Sequence, residues 1–550
     1  MDSGPACLGR VASVAGAKVT GRLDPEVVAA TTKGRNGGRG PMAEFGQLVK
    51  IVTRASLVFG VISRQWTADS EASFEAAPRM MAIDLLGETV EHSDGRMVFC
   101  RGVSVYPRLG AEIFSVTPED LAIVYARPGG ACVRVGSVTG SGGLPAYVLV
   151  DGLLGKHFAV LGTTGCGKSC AVATILRSIL THHTAGHVVI LDPHNEYAPA
   201  FGAAAEVINP TNLHLPYWLM NFDELVGALV STQGADRQTE MTILKQAVLQ
   251  ARRDFLGDEE EAAHATVDTP IPFRVGDVER IINNQMGRLN KAEGTLPYLR
   301  LLSRIETLRS DRRFEFMFSG LVVRDTMTDV LSRILRVPVE GKPVTVFDLS
   351  GVPSEIVDVV VSLLCRMVFD FAIWSAEAQA VPVLLVCEEA HRYVSQDGET
   401  NFALTRSAIA RIAKEGRKYG VSLCLVSQRP SELSTTILSQ CNTIFALRMS
   451  NEHDQEFVRR VLPDGATGLL TALPALFNGE AIAVGEGVSV PMRLGFEELS
   501  ANSRPRSSTA VFSKAWKRDL IDRDFLDETI YRWRRQCREG LFADAEWEQM

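Results

Sequence analysis

The chain has 550 residues, 46% apolar and 22% charged, an ordinary globular composition that excludes disorder throughout and has room for roughly three to four domains. Its 57 Lys and Arg against 65 Asp and Glu leave a net charge of −8. That excludes a bulk-basic nucleic-acid binder but not a local basic channel. The ten cysteines form no CxxC pair and several lie inside apolar runs, which predicts buried thiols in a reducing compartment rather than disulfides or zinc ligands. Asp2, Arg10, Lys18, Arg22 and Asp24 interrupt the first thirty residues, leaving no apolar core for a secretory signal. The most membrane-like stretch, Ile356–Trp374, carries Asp358, Arg366 and Asp370, each costing about 2.5–3.5 kcal/mol at a bilayer centre, so it reads as a buried helix. The expectation is a cytoplasmic protein that does not associate with membranes.

Up to about Gly143, short β-rich runs such as Gln47–Ile51, Ser56–Ile62 and Leu121–Tyr125 are cut by Gly, Pro and Asp clusters, which predicts a small β-barrel or sandwich. Thr31–Pro41, rich in Gly and Arg, reads as a loop within it. From about Lys156 the order becomes strand, Gly-rich turn, helix, strand, a βαβ unit that implies a parallel sheet. Glu224–Arg252, Val275–Arg288 and Pro297–Arg309 then show helical spacing and predict a helical insertion. The α/β pattern returns with Val344–Leu349, the helix Ile356–Trp374, Val383–Cys387, a basic helix ending near Tyr419, and Val421–Ser427. Two short strands follow Asn478, and Phe512–Met550 reads as a charged, aromatic, helical tail.

Gly162-Thr163-Thr164-Gly165-Cys166-Gly167-Lys168-Ser169 matches GxxxxGK[ST] and sits between an apolar strand and a helical run. Chance supplies the bare pattern in roughly a few chains per hundred of this length, so the strand–turn–helix context decides. Glycines let backbone N–H groups wrap phosphates, and the following helix start adds its positive dipole end. Lys168 is expected at the β/γ-phosphates of ATP and Ser169 at Mg²⁺, with Cys170 closing the binding segment. Val383–Cys387 runs into Glu388 and Glu389; Glu388 is expected near the magnesium and Glu389 at the attacking water. Gln428, after the next strand, is a candidate to sense the γ-phosphate or the water.

The segment Arg411–Gly420 is a basic helix end with a glycine cap. Its cations either offset the helix dipole or supply an arginine finger to a neighbouring subunit's ATP, Arg417 before Arg411. Asp192-Pro193-His194-Asn195-Glu196-Tyr197 follows the second strand on the ligand-binding edge of the sheet, where an acidic turn can also be merely solvated.

Taken in order, LGTTGCGKS, VVILDPHNEY, LLVCEEAHRYV, RIAKEGRKYGVSLCLVSQRP and NGEAIAVGEG resemble the HerA family of the FtsK/HerA P-loop ATPases. The resemblance implies an α/β fold: a RecA-like P-loop ATPase core with a helical insertion, preceded by a HAS-barrel-like β domain. It places the barrel at 1–145, the core at 146–210 and 340–500, the insertion at 211–339 and the helical tail at 501–550. It further implies a homo-hexameric ring translocating double-stranded DNA with ATP and Mg²⁺, beside a separate nuclease or other effector in DNA end processing or antiphage defence. Lys156 matches a basic position that reaches a neighbour's nucleotide. Glu388 stands where many P-loop proteins have Asp. The other expectation is a P-loop ATPase scaffold or protein-remodelling ring that regulates a partner without moving DNA.

Overall fold

The computed structural model describes residues 5–27, 43–68, 77–93, 95–288, 294–318, 323–375, 380–396, 402–461, 467–506, 512–517 and 523–534. The Gly/Arg-rich loop Thr31–Pro41 and the end of the tail lie outside them.

The first sheet comprises β1 (Cys7–Ala15), β2 (Lys18–Leu23), β3 (Leu48–Val52), β4 (Leu57–Thr67), β5 (Arg79–Glu91), β6 (Met97–Arg101) and β7 (Glu112–Ser115). Its order is β2-β1-β7-β3-β4-β5-β6, and β2 also pairs with β5 from Lys18↔Asp84 to Arg22↔Met80. Six strands therefore close into a barrel, which removes the unpaired edges that an open sheet would expose. Leu8, Val11, Val19, Ile51, Val58, Ile62, Met81, Ile83 and Ile113 pack together as its core. β6 lies outside the closed ring, paired with the far end of β5.

Leu121–Tyr125, expected as a β-rich run, is instead part of the helix Pro118–Val124. The Thr117 hydroxyl accepts from Asp120 N and the Asp120 carboxylate accepts from Thr117 N, a capping box that overrides a five-residue apolar run.

The second sheet carries β8 (Cys132–Val138), β9 (Pro145–Leu149), β10 (His157–Leu161), β11 (Val188–Asp192), β12 (Ala205–Ile208), β13 (Val344–Asp348), β14 (Val383–Cys387), β15 (Val421–Ser427), β16 (Cys441–Leu447), β17 (Glu480–Gly485) and β18 (Met492–Phe496). Its order is β12-β13-β11-β14-β15-β10-β16-β17-β18-β8-β9, parallel as far as β16 and antiparallel beyond it. β8 therefore belongs to this sheet through β18, although it precedes residue 146 where the core was drawn to begin.

Strand periodicity explains why β10 and β11 read as unbroken apolar runs. Ala159, Leu161, Val189 and Leu191 face one core, whereas Phe158, Val160, Val188 and Ile190 face the other. The phosphate-loop helix Lys168–His182 covers the second face. The helices of the insertion and the helix Val357–Trp374 cover the first. The run expected at Glu224–Arg252 divides into Phe222–Leu229 and Gly234–Leu256, interrupted where Gly234 takes φ +68°.

The three charges within Val357–Trp374 each have a partner. Asp358 accepts from Thr405 N (2.9 Å), capping the next helix, Ala403–Glu415. Arg366 binds Glu224 through two nitrogens (3.1 and 3.0 Å) and Asp370 through a third (2.9 Å). Among the described residues no helix is long and apolar enough to cross a membrane. The barrel meets the core through the Gly468 amide, which donates to the buried Asp84 carboxylate (3.1 Å), and through Arg101, which donates to Gly485 O (2.9 Å).

Because the Glu224 side chain is 1% exposed, Arg366→Leu strands a charge in the interior and should cost about 3–5 kcal/mol. Urea unfolding should then occur at lower concentration, with part of the loss recovered by adding Glu224→Gln. An unchanged midpoint in the single variant would show that the pair is not holding the insertion to the core.

Candidate nucleotide site

The site is built at the carboxyl edge of the parallel strands. β10 ends at Leu161 and the loop 162–167 follows, with Gly165 at φ +74° and Gly167 at φ +102°, left-handed values that side chains rarely adopt. Gly162 is constrained by packing: a Cβ there would lie 2.8 Å from Cys166 Sγ and 2.9 Å from Leu447 Cβ. Segments remote in sequence fix the loop from outside. Gly162 N donates to Ser427 O (3.2 Å), Thr163 N to Arg448 O (3.0 Å), and Gly479 N to Cys166 O (2.9 Å). The Lys168 ammonium folds back onto Thr163 O (3.1 Å) and is largely buried. Cys170, half-buried on the helix, has its thiol pushed up by burial.

β15 lies between β10 and β14, so the end of β15 falls between the phosphate loop and the two acids. Gln428 uses that position. Its amide nitrogen donates to Glu389 Oε1 (2.9 Å), and its carbonyl accepts from the Thr164 hydroxyl. Glu389 has φ +52°, a strained value for a non-glycine residue that costs on the order of 1–3 kcal/mol and aims the side chain off the strand end. Its Oε2 is buried with no hydrogen-bond partner, although His391 Nδ1 stands 3.2 Å away. Burial lowers the pKa of His391, against the opposing pull of Glu389 beside it.

Glu388 is held differently. Burial pushes its pKa up to about 8, against the pull of the Tyr197 hydroxyl, which donates to Oε2 (2.6 Å), and of Lys168. The neighbouring charges of Glu389 and Glu196 add to the rise. A cation beside it would offset that penalty, because the carboxyl then gains in its charged form. The residues thus fit a nucleotide carrying a magnesium ion: a loop of amides, a lysine, a hydroxyl, a cation-poor acid and a buried acceptor without a donor.

Of the sequence-predicted residues, Gly162 to Cys170, Glu388, Glu389 and Gln428 come together here. Arg411 and Arg417 do not. They precede β15 on the opposite edge of the sheet, about 20 Å of strand away at ~3.3 Å per residue. Arg411 stacks on Phe369 (4.9 Å) and lies 3.9 Å from Asp370, whereas Arg417 is exposed and makes no hydrogen bond or ion pair among the described residues. Lys156, also at that edge, pairs with Glu486.

Sequence reasoning left the turn 192–197 undecided, and the structure joins it to the site. Ser169 Oγ donates to Glu196 Oε2 (2.9 Å), and Tyr197 is wholly buried against Glu388. The signal in the sequence was an acidic turn directly after the strand next to β14. His391 and the turn at Gly479 were also missed, the latter because its contribution is a backbone amide.

A phosphate loop opening a helix, with two acids and an amide brought to it by adjacent parallel strands, defines a P-loop ATPase. Residues 133–368 match the family described as helicase HerA, central domain. The chain is 28% identical over 434 residues to the DNA double-strand break repair helicase HerA of Pyrococcus furiosus, covering 71% of this chain and 74% of that one. It is 29% identical over 393 residues to the protein of that name in Sulfurisphaera tokodaii, covering 70% and 72%. Among solved structures it is similar to VirB4 of Thermoanaerobacter pseudethanolicus at 18% identity and a TM-score of 0.46, covering 69% of this chain and 99% of that one. The central part of the chain is thus similar to the HerA helicases, and the chain is an ATP hydrolase.

Lys168→Ala should abolish ATP hydrolysis in a folded protein, since among the described residues its ammonium bonds only to the loop itself. Glu389→Gln should retain nucleotide affinity and lose turnover if the charge acts on water rather than phosphate, as expected from its place after β14. Fluorescent-nucleotide titration beside a phosphate-release assay separates the two; a Glu389→Gln protein with weakened binding would make that residue structural.

Proposed function

We propose that the chain is an ATP-driven translocase of double-stranded DNA that works as a homo-hexameric ring, with a separate nuclease or other effector in DNA end processing or antiphage defence. The observation that supports the ring is the position of Arg417: an exposed guanidinium with no hydrogen bond or ion pair among the described residues lies on the sheet edge opposite its own phosphate loop, out of reach of its own nucleotide and open to another copy's. The duplex substrate rests on the relatives, which are named as DNA double-strand break repair helicases. Free, mostly buried thiols fit a cytoplasmic setting.

In this reading, backbone amides of the loop and Lys168 neutralise the phosphates, and Ser169 with Glu388 would hold the magnesium. When bound, the ion would neutralise phosphate charge. Among the described residues no group of three His, Cys, Asp or Glu could hold a metal alone, so the ion would enter with the nucleotide. Glu389 accepts the proton of the attacking water, and Gln428 links that acid to Thr164 of the loop, so the water-activating and phosphate-binding groups move as one unit. Arg417 of a neighbour stabilises the charge that develops in the transition state.

Two experiments test this. Arg417→Ala should leave nucleotide binding intact and cut hydrolysis by about 10³-fold or more. Mixed with Lys168→Ala subunits, each kind inactive alone, it should regain partial turnover, because some interfaces then join an intact loop to an intact finger. No recovery in verified mixed rings would transfer the role to Arg411 or Lys156.

For DNA, a chain at −8 must gather its cations on the pore, so binding should be indifferent to sequence and sensitive to salt. If about six phosphates are neutralised, raising salt from about 50 to about 200 mM weakens binding roughly 10³-fold, and duplex stimulation of the ATPase falls with it. Turnover indifferent to duplex at low salt would leave an ATPase ring that remodels or regulates a protein partner.

A further inference from the structure

Ser169 has one hydroxyl proton and two lone pairs, so its value as a metal ligand depends on where the proton goes. Here it goes to Glu196 Oε2 at 2.9 Å, not to either acid at the end of β14. Glu388, the other expected ligand, has its Oε2 engaged by the Tyr197 hydroxyl at 2.6 Å. Both groups therefore lean on adjacent residues of the turn after β11.

That turn is fixed independently of the site. Asp192, fully buried at the end of β11, accepts from His194 N (3.2 Å) and Tyr197 N (2.9 Å), folding the chain back on itself. Asn195 takes φ +54°, a value asparagine tolerates better than most residues, and this sets Glu196 and Tyr197 side by side. From the other side Arg506 N donates to Glu196 O (2.8 Å), so the segment after the last strand clamps the backbone of the acid. The Glu196 side chain is only half-buried and bears no part of the core, which leaves little structural reason for its carboxylate to face the phosphate loop.

We propose that Glu196 is a positioning residue for magnesium: by accepting the Ser169 proton it leaves the serine lone pairs free toward the ion, while Tyr197 sets the orientation of Glu388. This rests on the magnesium reading given above. Groups that orient metal ligands in this way typically contribute 10–100-fold to metal affinity.

The test is the magnesium dependence of mant-ADP binding in the full-length protein. Glu196→Ala should raise the half-saturating magnesium concentration 10-fold or more, while affinity for mant-ADP in EDTA stays within about twofold. Glu196→Gln, whose amide oxygen can still accept from the hydroxyl, should recover most of the wild-type value. Ser169→Ala combined with Glu196→Ala should be no worse than Ser169→Ala alone, because the acid acts through the serine.

Additive losses in the double variant, equal losses for Gln and Ala, or a comparable loss in EDTA would each overturn the assignment. A wild-type protein whose mant-ADP affinity ignores magnesium would instead overturn the magnesium reading itself. A responsive wild type matched by an equally responsive Glu196→Ala variant would overturn only this inference.

Discussion

The site depends on β10 being wedged between β15 and β16. Half of the residues in this phosphate loop are glycine, and its backbone donors must stay aimed inward without a ligand. Here the flanking segments supply that constraint: Ser427 O and Arg448 O take the first two amides, and Gly479 N engages the carbonyl of Cys166. The same wedge brings Gln428 between loop and acids, so one arrangement of three strands sets both the phosphate loop and the amide that holds Glu389. The apolar faces of β10 and β11, buried against helices on both sides, keep the strands in register and so keep these hydrogen bonds in place.

Against that rigid background the site concentrates unfavourable electrostatics. Glu388 is buried enough to titrate near 8, burial also raises the pKa of Asp192, and Glu389 holds a backbone conformation that few side chains adopt. None of these helps the nucleotide-free chain fold. In the proposed reading, each would be relieved by what a nucleotide brings: a cation beside the acids, and phosphates beside Lys168. The large apolar cores carry the stability that lets this strain persist.

Much of this was legible in the sequence because it is local. The loop motif, the two acids closing an apolar run and the glycine after the basic helix are each contiguous patterns with a physical reason for their spacing. What was not legible is what the fold brings from far away. Glu196 and Ser169 are 27 residues apart, and Tyr197 and Glu388 are 191 apart. Nothing in DPHNEY distinguishes an acid that meets a serine from one that meets water. Leu121–Tyr125 failed for the opposite reason. A cap at Thr117 lay just upstream, and an apolar run too short to show its period was read without it. The position of β8 escaped because strand order is set by pairing across the sheet, not by sequence neighbourhood.

In the proposed ring, one sheet edge gathers what a single subunit contributes to hydrolysis and the other edge serves a neighbour. A cryo-electron microscopy structure of the Glu389→Gln protein with ATP and magnesium tests it most directly. The expected map has phosphates on the amides of residues 163–169, the terminal phosphate facing residue 389 and Gln428, and a cation from the Lys156 or Arg417 edge of an adjacent subunit reaching the same nucleotide. A nucleotide bound with those groups turned away, or a complete site with no contribution from a second copy, would contradict it.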